Sequence, residues 1–225
     1  MSNLEKMADF FAARVDKYDE HMLSEVEGCR EGYEKMALFV PKTAKRLLDL
    51  GCGTGLELDE ILKLMPDIEI TGVDLTQEML DKLKEKHPDK SINLICGDYF
   101  KVSFGSEKFD CAVSFQTMHH FAPEKKRELY KKINDALTPG GLYIECDYMV
   151  KTQEEQDFYF AECERMRREQ NIPDNEFCHY DTPCSVENQI GLLKSSGFSS
   201  VEKVFEIENT VMLVSRKQQK SRTLN

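Results

Sequence analysis

Residues 47–55, Leu-Leu-Asp-Leu-Gly-Cys-Gly-Thr-Gly, put Gly51, Gly53 and Gly55 between an apolar strand-like run and a helix-like one. Glycine there lets the backbone turn sharply and lets a ligand approach the main chain, as at the nucleoside-cofactor turn of α/β sheets. Asp74 follows 23 residues after Gly51, near the ~20-residue interval at which a carboxylate meets a ribose diol. A dinucleotide fits less well, because Gly-x-Gly-x-x-Gly needs glycine where Leu56 stands. A bare glycine triplet also serves plain tight turns, so Asp74 carries much of the inference.

A second chemically capable group is His119 with His120, which falls after the fourth strand-like run. Open α/β sheets bind ligands at that carboxyl edge, so His119 could take a proton from an acceptor near neutral pH. The pair could equally shape the turn before Pro123. Eight cysteines, at 29, 52, 96, 111, 146, 163, 178 and 184, contain no Cys-x-x-Cys pair, so a structural zinc site is not expected; no metal is expected at the site. Cys96, Cys111 and Cys146 lie in or beside apolar runs and read as small buried hydrophobes. Unpaired thiols suit a reducing cytoplasm.

Holding these groups in place requires a sheet. Met7, Phe10, Phe11, Val15, Tyr18 and Met22 share one helix face, and Val26, Cys29, Tyr33, Met36 and Val40 share another that ends at Pro41. From there strands over 46–50, 68–73, 91–95, 109–115 and 142–146 alternate with helices over 56–64, 77–86 and 123–137. Such alternation implies parallel strands joined by right-handed crossovers. Pro139-Gly140-Gly141 reads as a turn into the fifth strand. Thr152 and Glu155 form a capping-box signature for a helix to about 170, followed by a loop with Pro173 and Pro183 and a helix over 186–195. Strands at 200–205 and 211–215, joined through Glu208-Asn209, form an antiparallel pair. The expected fold is α/β: a Rossmann-like seven-stranded mixed sheet, parallel except for a C-terminal antiparallel strand, with helices on both faces.

The length of 225 residues fits a single domain. Its expected parts are a helical cap (1–43), a cofactor-binding core (44–150), an inserted substrate-side segment (151–184), a C-terminal helix and strand pair (185–216) and a polar tail (217–225). Apolar residues at 40% support a sizeable core and exclude a disordered chain. With 30 Lys and Arg against 41 Asp and Glu, the net charge of −11 disfavours nucleic acid and anionic membranes. The charged N-terminal stretch lacks a signal peptide's apolar core, and no run approaches the ~20 apolar residues of a membrane span.

The series LLDLGCGTG (47–55), VDLTQEML (73–80), CGDY (96–99), FDCAVSFQTMHHF (109–121) and LTPGGLYI (137–144) resembles, in order, the motifs of class I S-adenosylmethionine-dependent methyltransferases. The likeness covers roughly residues 45–146, and the flanks are similar to small methyltransferases with an N-terminal helical cap. It implies S-adenosylmethionine as cofactor and S-adenosylhomocysteine as product. By that resemblance the backbone of Gly51, Cys52, Gly53, Thr54 and Gly55 lies along the methionyl portion, Asp49 helps hold its ammonium, and Asp74 accepts from the ribose hydroxyls. Asp98, flanked by Gly97 and Tyr99, receives the adenine amino group, Leu75 contacts the ring, and Phe115 and Gln116 line the cofactor. Asp98 is also suited to cap a turn, and Leu75 to ordinary core. Tyr18, with Arg14 and the Phe10-Phe11 pair, would belong to a lid, or to a plain packing helix.

Methyl transfer needs mainly a nucleophile aligned near the methyl with water excluded, so no catalytic triad is required. Asp147, Tyr148, His179 and Tyr180 occupy the positions that usually form the acceptor pocket in this architecture. Arg165, Arg167 and Arg168 could meet an anionic acceptor, or form a solvated face. The acidic balance favours a small-molecule acceptor over nucleic acid, and a homo-oligomer remains compatible. Carboxy-S-adenosylmethionine synthase, which serves transfer-RNA modification, has a similar layout but uses an arginine after the inserted helix, and none occurs here between Arg168 and Arg216. A non-catalytic module that binds S-adenosylmethionine is the third alternative.

Overall fold

The computed structural model describes residues 3–173 and 175–220, so the end of the expected polar tail, 221–225, lies outside the described residues. Seven strands, β1 (Arg46–Leu50), β2 (Glu69–Asp74), β3 (Ile92–Cys96), β4 (Phe109–Phe115), β5 (Leu137–Tyr148), β6 (Phe198–Ile207) and β7 (Thr210–Lys217), form one sheet in the order β3-β2-β1-β4-β5-β7-β6. β1 to β5 pair in parallel, while β7 runs antiparallel between β5 and β6. This is the expected mixed sheet. β1 is central because it is apolar throughout apart from its first residue and its aspartate: Leu47, Leu48 and Leu50 are fully buried, each contributing about 2 kcal/mol of apolar burial.

Helices α4 (Leu56–Leu64), α5 (Gln77–Lys86), α6 (Pro123–Ala136), α7 (Gln153–Glu169) and α8 (Val186–Ser195) complete the core of the chain. Proline opens α6, where its missing N–H costs nothing, and Thr152 with Glu155 forms the reciprocal cap of α7. Because the chain leaves β1 toward β2 and β3 on one side and crosses back to β4 on the other, the carboxyl ends of β1 and β4 flank a topological switch point. The glycine turn and the His119-His120 turn therefore arise side by side.

Three expectations need correction. The leading segment forms three helices, α1 (Met7–Ala12), α2 (Val15–Ser24) and α3 (Cys29–Phe39), instead of two. The apolar stripe continues across the first break, but Arg14 turns back to Glu5 at 2.9 Å and to the Phe10 carbonyl at 2.8 Å. Strand β5 begins at Leu137, so Pro139-Gly140-Gly141 lies within it, accommodated by a register shift opposite Phe109 and Cys111. Cys96 is exposed, because β3 is an edge strand; the other cysteines of the apolar runs, Cys111 and Cys146, are buried. All eight thiols are free.

A roof forms over the carboxyl edge from two segments distant in sequence. Met7 N–H donates to the Phe177 carbonyl at 3.0 Å, and His179 N–H donates to the Glu5 carbonyl at 2.8 Å. Phe10 stacks on His179 with ring centroids 3.5 Å apart. No described helix is long and apolar enough to cross a membrane.

Candidate functional site

On one side of the carboxyl edge stands the glycine turn. Gly51, Gly53 and Gly55 adopt φ of +71°, +47° and +79°, left-handed values that glycine accepts without steric cost. Gly51 N–H reaches back to the Val73 carbonyl at 2.8 Å, and Gly53 N–H donates to Asp74 Oδ2 at 2.9 Å. Asp74 Oδ1 accepts from Thr76 N–H at 2.8 Å, so the carboxylate is aimed by main chain and each oxygen retains lone-pair capacity for a diol. Burial raises the Asp74 pKa, and the amides of Thr76, Gly53 and Leu75 counter it.

Asp49 is fully buried against the equally buried Glu57, and the two carboxyls share a hydrogen bond. Burial pushes Asp49 up to about 8; the neighbouring Glu57 carboxyl is also raised by burial, with Asp49 adding to the effect. Two buried carboxyls that share a proton can release it when a cation is placed beside them. Tyr18 stands over this turn: a Cβ on Gly53 would lie 3.9 Å from its ring. Helix α2 is tied down here, since Thr54 Oγ1 donates to Asp19 and Lys86 bridges Asp19 at 3.2 Å and Asp59 at 2.6 Å.

The other residues named for the cofactor side divide in two. Leu75 is 37% exposed beside Asp74, open to a flat ring. Gln116, at φ +48°, lines the adjoining chamber and donates to Thr210 Oγ1 at 3.4 Å. Asp98, beyond the end of β3 and next to Gly97, accepts from Phe100 N–H at 2.9 Å and pairs with Lys101 at 3.2 Å. Tyr99 is buried, its hydroxyl 3.0 Å from Thr117 Oγ1. Phe115 is buried against Tyr33, ring centroids 3.8 Å apart. Cys52 is buried beneath the turn, its N–H donating to the Val73 carbonyl at 3.3 Å and its carbonyl accepting from Gly55 N–H at 2.8 Å.

Beside the turn, beneath α1 and α2, opens a chamber of about 970 Å³. Phe11, Tyr18, Gln116, His119, Tyr148 and Asp181 contribute to its wall. A 3-10 turn (Met118–His120) presents the histidines. His119 Nδ1 meets Asp147 Oδ1 at 2.7 Å, and its Nε2 lies 3.4 Å from Asp181 Oδ1. His120 Nδ1 donates to the Tyr180 carbonyl at 3.3 Å and lies 3.6 Å from Asp181. The Thr182 N–H and hydroxyl both donate to the His119 carbonyl, at 2.8 and 2.9 Å, clamping the two segments together.

Burial opposes charge on His119, yet Asp147 and Asp181 outweigh it and push the imidazole up to about 9. His120 falls well below its ordinary value through burial and the neighbouring His119 charge. Burial works against Asp181 as an anion, but His119, His120 and His179 hold it well below the usual carboxylate range.

His119, Asp147, Tyr148 and His179, all named from sequence, thus converge. Tyr180 contributes its carbonyl, and the Tyr148 hydroxyl donates to Tyr159 at 2.6 Å. Arg165 and Arg168 pair with glutamates of their own helix, and Arg167 bonds the carbonyls of Pro173 and Glu176. Asp181, Asp19 and Glu57 were not foreseen. No spacing marks the first two, because their partners are about 60 and 35 positions away.

Residues 47–141 match a family model described as a methyltransferase domain. A carboxy-S-adenosyl-L-methionine synthase from a Nitratiruptor species is 25% identical over 233 residues, spanning 96% of each chain. One from Helicobacter pylori is 31% identical over 188 residues, 77% of each chain. The solved structure of human N-acetylserotonin methyltransferase in complex with SAM has a TM-score of 0.68 at 18% identity, over 94% of this chain and 57% of that one. This last likeness concerns the fold.

Proposed function

The chain belongs to the class I S-adenosylmethionine-dependent methyltransferase family, and on that premise we propose that it methylates a small molecule bound in the chamber beside His119. S-adenosylmethionine is its cofactor, and when bound supplies a methyl group already activated on a sulfonium. The protein's work is then to orient, to exclude water and to manage the acceptor's proton. Asp49 would hold the ammonium, Asp74 the ribose hydroxyls, and Leu75 with Asp98 the adenine. The observation that carries the acceptor reading is the chamber itself, whose volume of about 970 Å³ suits a small molecule. Its free, mostly buried thiols suit the cytoplasm.

With labelled cofactor and an acceptor library, label should pass to a small molecule as S-adenosylhomocysteine accumulates. Held charged at neutral pH by Asp147 and Asp181, His119 would orient the acceptor and not, as expected from sequence, take its proton; His119→Ala should lower turnover at least ~10-fold while cofactor affinity stays unchanged. Full turnover in that variant would remove His119 from the acceptor side. Tight cofactor binding with no transfer to any acceptor would favour a binding module.

Cofactor affinity should also depend on pH. In the free protein Asp49 sits at about 8 and is protonated below that. A bound ammonium favours its carboxylate, so binding releases a proton and affinity rises by up to ~10-fold per pH unit toward about pH 8. Above that the cofactor's own amino group, pKa ~8, loses its charge. Calorimetry in buffers of different ionisation enthalpy checks this; flat affinity without proton release would separate Asp49 from the ammonium.

A carboxy-S-adenosylmethionine synthase is the second reading, favoured by the two curated relatives and their coverage. It needs a cation for the added carboxylate. Arg14 and Lys17 are the only arginine and lysine among the chamber-lining residues described, and Arg14 is paired with Glu5. Mass spectrometry of the incubated cofactor separates the readings: a carboxylated sulfonium supports the second, S-adenosylhomocysteine with a methylated acceptor the first.

A further inference from the structure

The side chains grouped at the chamber wall carry more than an acceptor contact. Three ligand-type atoms, one each from His119, His120 and Asp181, all lie within 4.8 Å of one another. Asp181 Oδ1 is 3.4 Å from His119 Nε2, 3.6 Å from His120 Nδ1 and 4.0 Å from His179 Nε2. These separations are long for hydrogen bonds. The first two approach the edges of a coordination polyhedron, since tetrahedral bonds of ~2.0–2.1 Å set ligand atoms roughly 3.3–3.4 Å apart, and the third is longer.

The surroundings have the form of a metal site's outer shell. His119 spends its Nδ1 on buried Asp147 at 2.7 Å, which turns Nε2 toward Asp181. A carboxylate behind a histidine is the usual device for fixing the ring and making the ligating nitrogen more basic. The second Asp147 oxygen is buried without a partner among the described residues. The two hydrogen bonds from the Thr182 N–H and hydroxyl to the His119 carbonyl set Asp181 beside the histidine turn before any ligand arrives. Two imidazoles and one carboxylate, with a third imidazole at longer range, suit a borderline divalent cation better than calcium or magnesium.

We propose that His119, His120 and Asp181 bind a divalent transition-metal cation of the zinc or ferrous class, the cation displacing the proton that His120 Nδ1 otherwise gives to the Tyr180 carbonyl, with His179 as a further donor and an open coordination position facing the chamber. Cys-x-x-Cys spacing has no part in such a site, which is why the sequence gives no sign of it. Its role rests on the reading of the chamber as the acceptor site. There the cation favours an oxygen or sulfur nucleophile, bound as its anion after the O–H or S–H proton passes to solvent.

The test needs no turnover. The full-length protein is freed of metal with a chelator, then titrated with zinc against a chromophoric competitor and, separately, with cobalt(II). One zinc per chain is expected, with affinity lowered at least ~10-fold in Asp181→Asn and in His120→Gln, and ~10- to 100-fold in Asp147→Asn. If Asp181→Asn fails to fold, His120→Gln carries the measurement. The cobalt spectrum should lack an intense thiolate charge-transfer band. No stoichiometric zinc, zinc binding unaffected by these substitutions, or a thiolate spectrum would overturn the proposal. Methyl transfer by metal-free protein that binds no zinc would sink the metal site alone, whereas zinc held by these side chains without transfer to any acceptor would sink the acceptor reading alone.

Discussion

Asp74→Ala should weaken S-adenosylmethionine binding about 100-fold in calorimetry. Each hydrogen bond to a charged group contributes ~1.5–3 kcal/mol, and two ribose hydroxyls would lose their acceptor, so a loss of ~3 kcal/mol corresponds to roughly two orders of magnitude. The substitution also frees Gly53 N–H and Thr76 N–H, which Asp74 holds at 2.9 and 2.8 Å. Asp74→Asn separates the two effects, because it keeps the side chain's shape and one acceptor oxygen; ~10-fold weakening is expected for it. Affinity unchanged in the alanine variant, with the fold intact by circular dichroism, would remove Asp74 from the site.

Gly51→Ala should abolish detectable cofactor binding and lower the melting temperature by roughly 5–15 °C. Gly51 has φ +71°, and an added Cβ would fall 2.6 Å from Thr117 Oγ1 and 2.9 Å from Thr117 Cβ. The left-handed conformation costs an L-residue ~1–2 kcal/mol, and relieving the overlap costs a further ~1–3 kcal/mol. Thr117 cannot move freely, because its hydroxyl meets Tyr99 at 3.0 Å and it precedes the Met118–His120 turn. The damage therefore spreads from the glycine turn to the histidines. A variant that binds the cofactor as the parent does would show that the turn's backbone is not what the ligand approaches.

Much of the architecture was readable because its signals are local. Three leucines in five residues followed by glycine make β1, proline opens α6, Thr152 caps α7, and Glu208-Asn209 joins β6 to β7 through a two-residue turn. The break between α1 and α2 was harder, since periodicity continued across it while Arg14 folded back on Phe10 and Glu5. Cys96 shows the same limit: an apolar neighbourhood says strand, but only the strand order makes it an exposed edge.

The chain's own order of residues determined the α/β class, the glycine turn and the carboxylate at the end of β2, because steric preference and hydrophobic period act over a few positions. Tertiary structure decided which distant groups meet. Asp147 and Asp181 come from a strand end and a loop, and only the closure of residues 176–179 onto the leading segment, with Thr182 bonded to the turn, brings both against His119. Contacts across 28 and 62 positions depend on packing and loop closure, which leave no periodic mark in the text of the chain.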